Sequence, residues 1–293
     1  MAIALENVQY ANLLEEKVSE RTAQLAEANQ KIMALNEQLK EENLRMSAEL
    51  NVARQLQKMV LPRPEELEQV ERLEITGFME AADEVGGDYY DVLVDQTGQV
   101  KIAVGDVTGH GLESGVLMLM LQTAIRSLFI AKIPPGKQFL SILNQIIYDC
   151  VQRTKMDKNL TLSILDYQEG MLRITGQHED VLLVHSDGRV TPINTTQLGF
   201  PLGIVADIGQ WLSVLEVQCR PEEGIVLYTD GLTEAQNFVG EQYGVARLCN
   251  LVSQNWHLPV KTIQQTIIND VQQYVGSKKI NDEMTLLVLK HKS

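Results

Sequence analysis

The first sixty residues contain neither proline nor glycine, and the first proline arrives at Pro62. Over that length the chain is rich in Glu, Gln, Asn, Leu, Lys and Ala, most of them good helix formers, with Asn the exception. A row of mostly apolar residues recurs at strict seven-residue spacing: Val18, Leu25, Ile32, Leu39, Met46, Ala53 and Val60. A seven-residue repeat held this long implies a left-handed coiled coil. If this row is d, the a positions include Thr22, Asn29, Asn36, Asn43 and Leu50. Asparagine at a costs stability but fixes register and favours two strands, so this choice predicts a parallel homodimer. If the row is a, the d positions include Arg21, Ala28, Leu35, Glu42 and Glu49, a poorer seam. The plainer alternative is one long solvated helix, or one packed on its own domain.

Leu61-Pro62-Arg63-Pro64 stops the helix, because proline cannot continue it and the residue before proline leaves the α region. We therefore expect residues 1–60 to form a dimerisation and signalling segment and residues 61–293 to form a separate domain. Residues 51–61 remain free to pack against that domain. The later pattern is mixed. Strands are expected at Leu73–Phe78, Val100–Val104, Leu160–Leu165, Met171–Thr175, Val181–His185, Trp211–Val217, Gly224–Tyr228 and Met284–Leu289. Helices are expected at Leu112–Ala131, Gly136–Arg153, Val245–Gln254 and Val260–Val275. Gln168-Glu169-Gly170 and Ser186-Asp187-Gly188 look like hairpin turns. Consecutive hairpins with two early and two late helices predict an α+β fold: an antiparallel β sandwich flanked by helix pairs.

The formal net charge of −14 argues against nucleic acid or an anionic membrane as the main partner. A phosphorylated substrate stays admissible, because bound cations reverse the local field. Cys150, Cys219 and Cys249 are odd in number and form no CxxC, as expected of thiols in a reducing cytoplasm. No apolar run approaches membrane-spanning length, and Met1 to Tyr10 lack a signal-peptide layout, so the expectation is a soluble cytoplasmic protein.

Four acidic motifs carry the chemistry. They are Gly86-Gly87-Asp88-Tyr89-Tyr90-Asp91, Gly105-Asp106-Val107-Thr108-Gly109-His110-Gly111, Tyr228-Thr229-Asp230-Gly231-Leu232-Thr233-Glu234-Ala235 and Asn281-Asp282-Glu283-Met284-Thr285. In each, an aspartate lies at or beside the junction of an apolar run and a tight turn. Convergent carboxylates without a cysteine or histidine cluster suit a hard cation, Mn²⁺ or Mg²⁺. Asp106 can bridge two such ions, with the Val107 carbonyl as a further oxygen ligand. The plainer reading of that motif is a glycine-rich turn with aspartate as a helix cap. Asp88 and Asp91 are three apart and face opposite sides of a strand. Asp88 is preferred for the site because the paired glycines leave it open, and the tyrosines are read as packing. Asp230 and Asp282 supply the remaining carboxylates. Glu234 is read as a supporting or solvated residue, Thr285 as a backbone hydrogen-bonder, and His110 as a general acid or a structural turn residue. GxSxG, HExxH and the Walker pattern are absent, and His110, His178, His185, His257 and His291 make no zinc spacing.

The order and spacing of these motifs resemble the SpoIIE-like branch of the metal-dependent type 2C protein serine/threonine phosphatases over about residues 50 to 290. The resemblance rests on Gln55 to Pro62, VGGDYYD, GDVTGHG, YTDGLTEA and DEMTLLVL. It implies a two-layer β sandwich between helix pairs with a dinuclear Mn²⁺/Mg²⁺ site. Asp106 looks like the bridging ligand, Asp88, Asp230 and Asp282 like the other carboxylates, and Val107 like the carbonyl donor. In such enzymes a metal-activated water attacks phosphoserine or phosphothreonine directly, typically on a small anti-sigma-factor antagonist protein. The chain departs from the pattern at Ala81-Ala82 (commonly Pro-Ala), Gly176-Gln177-His178 (commonly Ala-Gly-His) and Asp282-Glu283 (commonly Asp-Asp). Met1 to Asn7 resemble the last helix of a GAF sensor, and residues from Val18 to Asn29 a signalling linker, which implies an upstream sensor domain or protein. The rival expectations are a dimeric module that binds a phosphoprotein without turnover and a hydrolase of small phosphate esters.

Overall fold

The computed structural model describes residues 2–80, 85–278 and 282–292; the Ala81-Ala82 pair and Asn281 lie outside the described residues, as do the side chains of residues 2–9, Glu49 and Ala53. The chain divides into two compact units, residues 1–49 and 50–293. One uninterrupted helix, α1, runs Ala2–Val60. Within residues 1–49 the seven-residue row forms an exposed apolar stripe: Val18, Leu25, Ile32, Leu39 and Met46. The second unit starts inside the helix rather than at its proline stop. Its first turns are bound to the domain: Gln57 is buried, and the Val60 carbonyl accepts a hydrogen bond from Gln122 Nε2 at 3.1 Å.

Beyond the proline stop come a short helix α2 (Pro64–Glu68) and the strands β1 (Leu73–Glu80), β2 (Tyr89–Val94) and β3 (Val100–Val107). Helices α3 (Leu112–Ile130) and α4 (Lys137–Thr154) follow, then β4 (Leu160–Gln168), β5 (Met171–Gln177), β6 (Val181–Val184), β7 (Val190–Ile193), β8 (Val214–Gln218) and β9 (Gly224–Tyr228). The chain ends with α5 (Asp230–Thr233), α6 (Val245–Asn255), α7 (Val260–Val275) and β10 (Met284–His291).

Two five-stranded sheets form, ordered β1-β10-β9-β6-β7 and β2-β3-β4-β5-β8. Every pairing is antiparallel. Three apolar layers separate the elements. Leu117, Leu121, Ile125, Leu140, Leu143 and Ile147 pack α3 and α4 on one sheet. Ile75, Val92, Ile102, Leu165, Leu227 and Leu287 fill the space between the sheets. Val226, Leu248, Ile263, Ile267, Val271 and Val288 pack α6 and α7 on the other sheet. The expected helix-flanked sandwich is what forms.

Strand register brings the motifs together. Tyr89 pairs with Gly105, so the entry to β2 lies beside the exit of β3. Tyr228 pairs with Leu286, so the exit of β9 lies beside the entry to β10. All four aspartates therefore leave or enter the sandwich at one end.

Three local differences from expectation have physical causes. Tyr89–Val94 is a strand although it contains a charge, because buried Asp91 accepts both Nε and Nη2 of Arg126 from α3 at 2.9 Å and the Tyr89 hydroxyl at 3.2 Å. Val190–Ile193 is a strand despite Pro192, since β7 sits at a sheet edge where the missing N–H costs nothing. The strand expected from Trp211 begins at Val214, because Gly209–Trp211 coils into a 3₁₀ turn. Among the described residues one helix, Leu112–Ile130, is long and apolar enough to cross a membrane, against the expectation that no run came near that length. It is half buried, and its apolar face is the one that packs on the sheet.

Candidate functional site

Asp88 immediately precedes β2 and is only 2% exposed. Its Oδ2 accepts hydrogen bonds from Thr229 Oγ1 at 2.7 Å and Thr285 Oγ1 at 2.5 Å. Thr285 thus holds a site carboxylate as well as the backbone: its own N–H donates to Thr229 Oγ1 at 3.0 Å. The two threonines stitch the exit of β9 to the entry of β10 and fix Asp88 between them. Asp91, three residues on, turns the other way into the Arg126 pair, so the two carboxylates separate as alternation requires.

Asp106 sits one residue before the end of β3 and is half-buried. Asp230 is the first residue of α5, half-buried, and Asp282 is exposed just ahead of β10. The cluster therefore grades from a sealed carboxylate to an open one. Burial pushes Asp106 up to about 8, aided by Asp230, Asp282 and Glu283. Burial, then Asp106 and Glu283, raises Asp88 far above the usual carboxylate range against the pull of its two threonines. Burial, Asp282 and Glu234 raise Asp230. The strongest influences on each are burial and other acids, an electrostatic cost that a bound cation would relieve.

Glu283 belongs to the cluster although the motif reading gave it only as a departure from the usual Asp-Asp. It is 3% exposed, its Oε2 accepts the Asp88 N–H at 2.7 Å, and its Oε1 is buried without a hydrogen-bond partner. Burial moves its carboxyl up to about 7. Gln57, from the last turns of α1, lies close enough to lower that value, though short of full hydrogen-bond geometry to Oε1, and its Nε2 donates to the carbonyls of Gly86 and Asp88 at 3.4 Å. No local signal marks what Gln57 touches, because its partners lie 29 and more residues away.

The paired glycines are explained by close approach. A side chain on Gly86 would collide with the Glu283 carboxylate, and one on Gly87 with the Val107 carbonyl and the Asp106 carboxylate. Gly87 also accepts the Val107 N–H at 3.2 Å, so the Val107 carbonyl is held at the rim of the cluster. His110 is exposed in the turn between β3 and α3, while Gly111 binds the Val85 carbonyl through its N–H at 2.6 Å. Glu234 is exposed; its carboxylate acts on Asp230 and Glu179 through charge, and its N–H donates to the Asp230 carbonyl at 2.7 Å.

Among the described residues, no three acidic, histidine or cysteine side chains close on a single point as they stand. The charge coupling between Asp88, Asp106, Asp230, Asp282 and Glu283 nevertheless draws them into one group. The donors are all oxygen, the Glu283 Oε1 is buried without a partner, and Gly87 leaves the Val107 carbonyl uncovered. These features fit Mn²⁺ or Mg²⁺ rather than zinc. The three thiols take no part: Cys219 is buried and pushed up to about 12, and all three cysteines are free.

Residues 96–292 match the family model described as stage II sporulation protein E (SpoIIE). Among curated proteins, Protein IcfG of Synechocystis sp. (strain ATCC 27184 / PCC 6803 / Kazusa) is 24% identical, over 83% of this chain and 42% of that one. Phosphoserine phosphatase RsbU of Bacillus subtilis (strain 168) is 25% identical, over 84% of this chain and 71% of that one. The chain thus matches less than half the length of the first of these relatives. Among solved structures, the SiaA-PP2C domain of Pseudomonas aeruginosa superposes with a TM-score of 0.74 at 19% identity, over 86% of this chain and 99% of that one. RsbX in complex with magnesium superposes with a TM-score of 0.53 at 14% identity, over 76% of this chain and 96% of that one. At these identities the superpositions establish the shared fold.

The raised carboxyls set a pH dependence. Asp106 and Glu283 move from 3.8 and 4.5 to about 8 and about 7. Between the two sets of values the folded chain holds more protons than the unfolded chain, so stability falls as pH rises through that window. The penalty is absent below the unfolded values and complete above the folded ones. With excess chelator, Tm is expected to drop between about pH 6 and about pH 8, and Mn²⁺ is expected to restore it at the upper end. A chelated protein whose Tm is flat across that range would contradict the electrostatics described.

Proposed function

The chain belongs to the stage II sporulation protein E family, and from that premise we propose that it is a metal-dependent phosphatase acting on phosphoserine or phosphothreonine of a partner protein. The observation that carries the proposal is Asp106, half-buried and pushed up to about 8 chiefly by burial and three neighbouring acids. Asp88, Asp106, Asp230, Asp282 and the Val107 carbonyl are the groups that would hold Mn²⁺ or Mg²⁺ here. When bound, such ions neutralise phosphate charge and make water nucleophilic at neutral pH. The protein's own part is positional. Thr229 and Thr285 lock Asp88, the two glycines keep the approach clear, and exposed Asp282 leaves the mouth open to a phosphoryl group on another protein. A substrate of the anti-sigma-factor antagonist class is proposed from the motif resemblance, and RsbU, named a phosphoserine phosphatase, supports the reaction class.

The test is hydrolysis of a generic aryl phosphate and of a phosphoserine peptide, with and without Mn²⁺. Activity should require the ion, and Asp106→Ala should reduce it by at least about a hundredfold. The competing reading is a phosphoprotein-binding module without turnover, favoured by the carboxylates not closing on one point. It predicts phosphopeptide binding with no hydrolysis in either protein.

We further propose that residues 1–60 are a dimerisation and signalling segment and that a cytoplasmic sensor, on this chain or another, acts through it. The exposed stripe Val18, Leu25, Ile32, Leu39 and Met46 supports pairing with a second copy. Replacing Leu25 and Leu39 together by lysine should convert a dimer into a monomer in sedimentation equilibrium. A wild-type chain that already sediments as a monomer at micromolar concentration would end that proposal. Gln57 supports the link to the site, since it touches the backbone on either side of Gly87 and lies beside Glu283. Gln57→Ala should weaken Mn²⁺ binding several-fold in calorimetry while leaving the fold intact. Unchanged affinity would sever the helix from the cluster.

A further inference from the structure

His178 stands outside the carboxylate cluster yet touches the strands that build it. It follows β5, and its main chain is tied down by Thr195, which is fully buried. The His178 N–H donates to Thr195 Oγ1 at 2.9 Å, and the Thr195 hydroxyl donates back to the His178 carbonyl. With the backbone fixed, the ring direction is fixed too.

The ring lies near strands of both sheets, β4 and β9. Nδ1 lies 2.8 Å from Thr161 Oγ1. Thr161 is the β4 residue paired directly with Asp106 on β3. Nε2 is sealed from solvent with no hydrogen-bond partner, and the Tyr228 backbone lies close enough to the ring to favour its protonation. Tyr228 ends β9, and the next two residues are Thr229, which holds Asp88, and Asp230. A backbone neighbour that favours protonation is an acceptor, and with Nδ1 against the Thr161 hydroxyl the proton belongs on Nε2, which leaves Nδ1 to accept from Thr161. Burial keeps the ring neutral by pulling it down to about 4.

We propose that His178 is a positioning residue, a neutral imidazole strut between the strand paired with Asp106 and the strand that delivers Asp230, which sets the separation of those two carboxylates. It touches no substrate and supplies no proton. The ring thus meets a carboxylate-bearing region in each sheet. As far as the cation is concerned, the strut rests on the metallophosphatase reading, but its geometry can be read without it.

Two measurements on the full chain test it. Nitrogen-15 NMR of the cation-free protein should show His178 as the neutral Nε2–H tautomer at about pH 6. An imidazolium, or an Nδ1–H tautomer, would overturn the strut. Calorimetric titration with Mn²⁺, in the absence of substrate, should show His178→Ala binding about 10–100-fold more weakly than the wild type. His178→Gln, whose amide reaches toward the Tyr228 backbone, should recover part of that loss. Should His178→Ala fail to fold, Thr161→Val removes the Nδ1 anchor while keeping the ring, and should weaken Mn²⁺ in the same direction, with Thr161→Ser restoring it. Folded His178→Ala or Thr161→Val proteins that bind Mn²⁺ as tightly as the wild type would overturn the strut alone. A wild type that binds no Mn²⁺ would overturn the metallophosphatase reading, while the tautomer still decides the geometry.

Discussion

Placing a carboxylate out of water beside other carboxylates is unfavourable, and much of the second compact unit serves to hold that arrangement in place. Asp88 is sealed, Asp106 and Asp230 are half-buried around it, and Glu283 fills the remaining space. Three hydrogen bonds keep this group from relaxing: two threonine hydroxyls on Asp88 and the Asp88 N–H on Glu283. Antiparallel pairing then does the rest. Because β2 enters where β3 leaves, and β10 enters where β9 leaves, residues nearly two hundred positions apart meet at one end of the sandwich. The helix pairs matter to the site indirectly, by clamping the two sheets whose ends carry it.

Charge elsewhere in the domain is handled by pairing. Asp91 is as deeply buried as Asp88 but meets Arg126 in a two-point ion pair, so it belongs to the scaffold. Lys101 and Asp166 form a second buried pair between β3 and β4, with the ammonium over the Phe139 ring. The contrast is informative. Within one short motif, the aspartate with a cationic partner is structural, and the aspartate surrounded by acids is the candidate ligand.

Much of this was legible in the sequence, for identifiable reasons. Gly224–Tyr228 and Val260–Val275 matched their expected bounds because each combines strong periodicity with clear punctuation. The paired glycines pointed correctly to close approach, although what approaches Gly86 is Glu283, a residue no local pattern singles out. Strand alternation was read into the Asp88–Asp91 motif, but β2 was not among the expected strands, because Asp91 looks foreign to a buried strand until Arg126, 35 residues later, is known to meet it. Thr285 was read too modestly, since its hydroxyl partner is supplied by the other sheet. Gln57 and His178 lie in stretches that the resemblance had marked, Gln55 to Pro62 and Gly176-Gln177-His178, but what they touch came only with long-range register. Local chemistry announced which carboxylates were candidates, whereas the supports that hold them came only with the fold.

The central claim is that Asp88, Asp106, Asp230 and Asp282 form one cation site at the end of the sandwich. Its most direct test is anomalous diffraction at the manganese edge from crystals grown with Mn²⁺. The account predicts strong peaks at the Asp106 carboxylate, with Asp88, Asp230, Asp282 and the Val107 carbonyl among their neighbours. Peaks only at surface acids elsewhere, or none at saturating Mn²⁺, would contradict it.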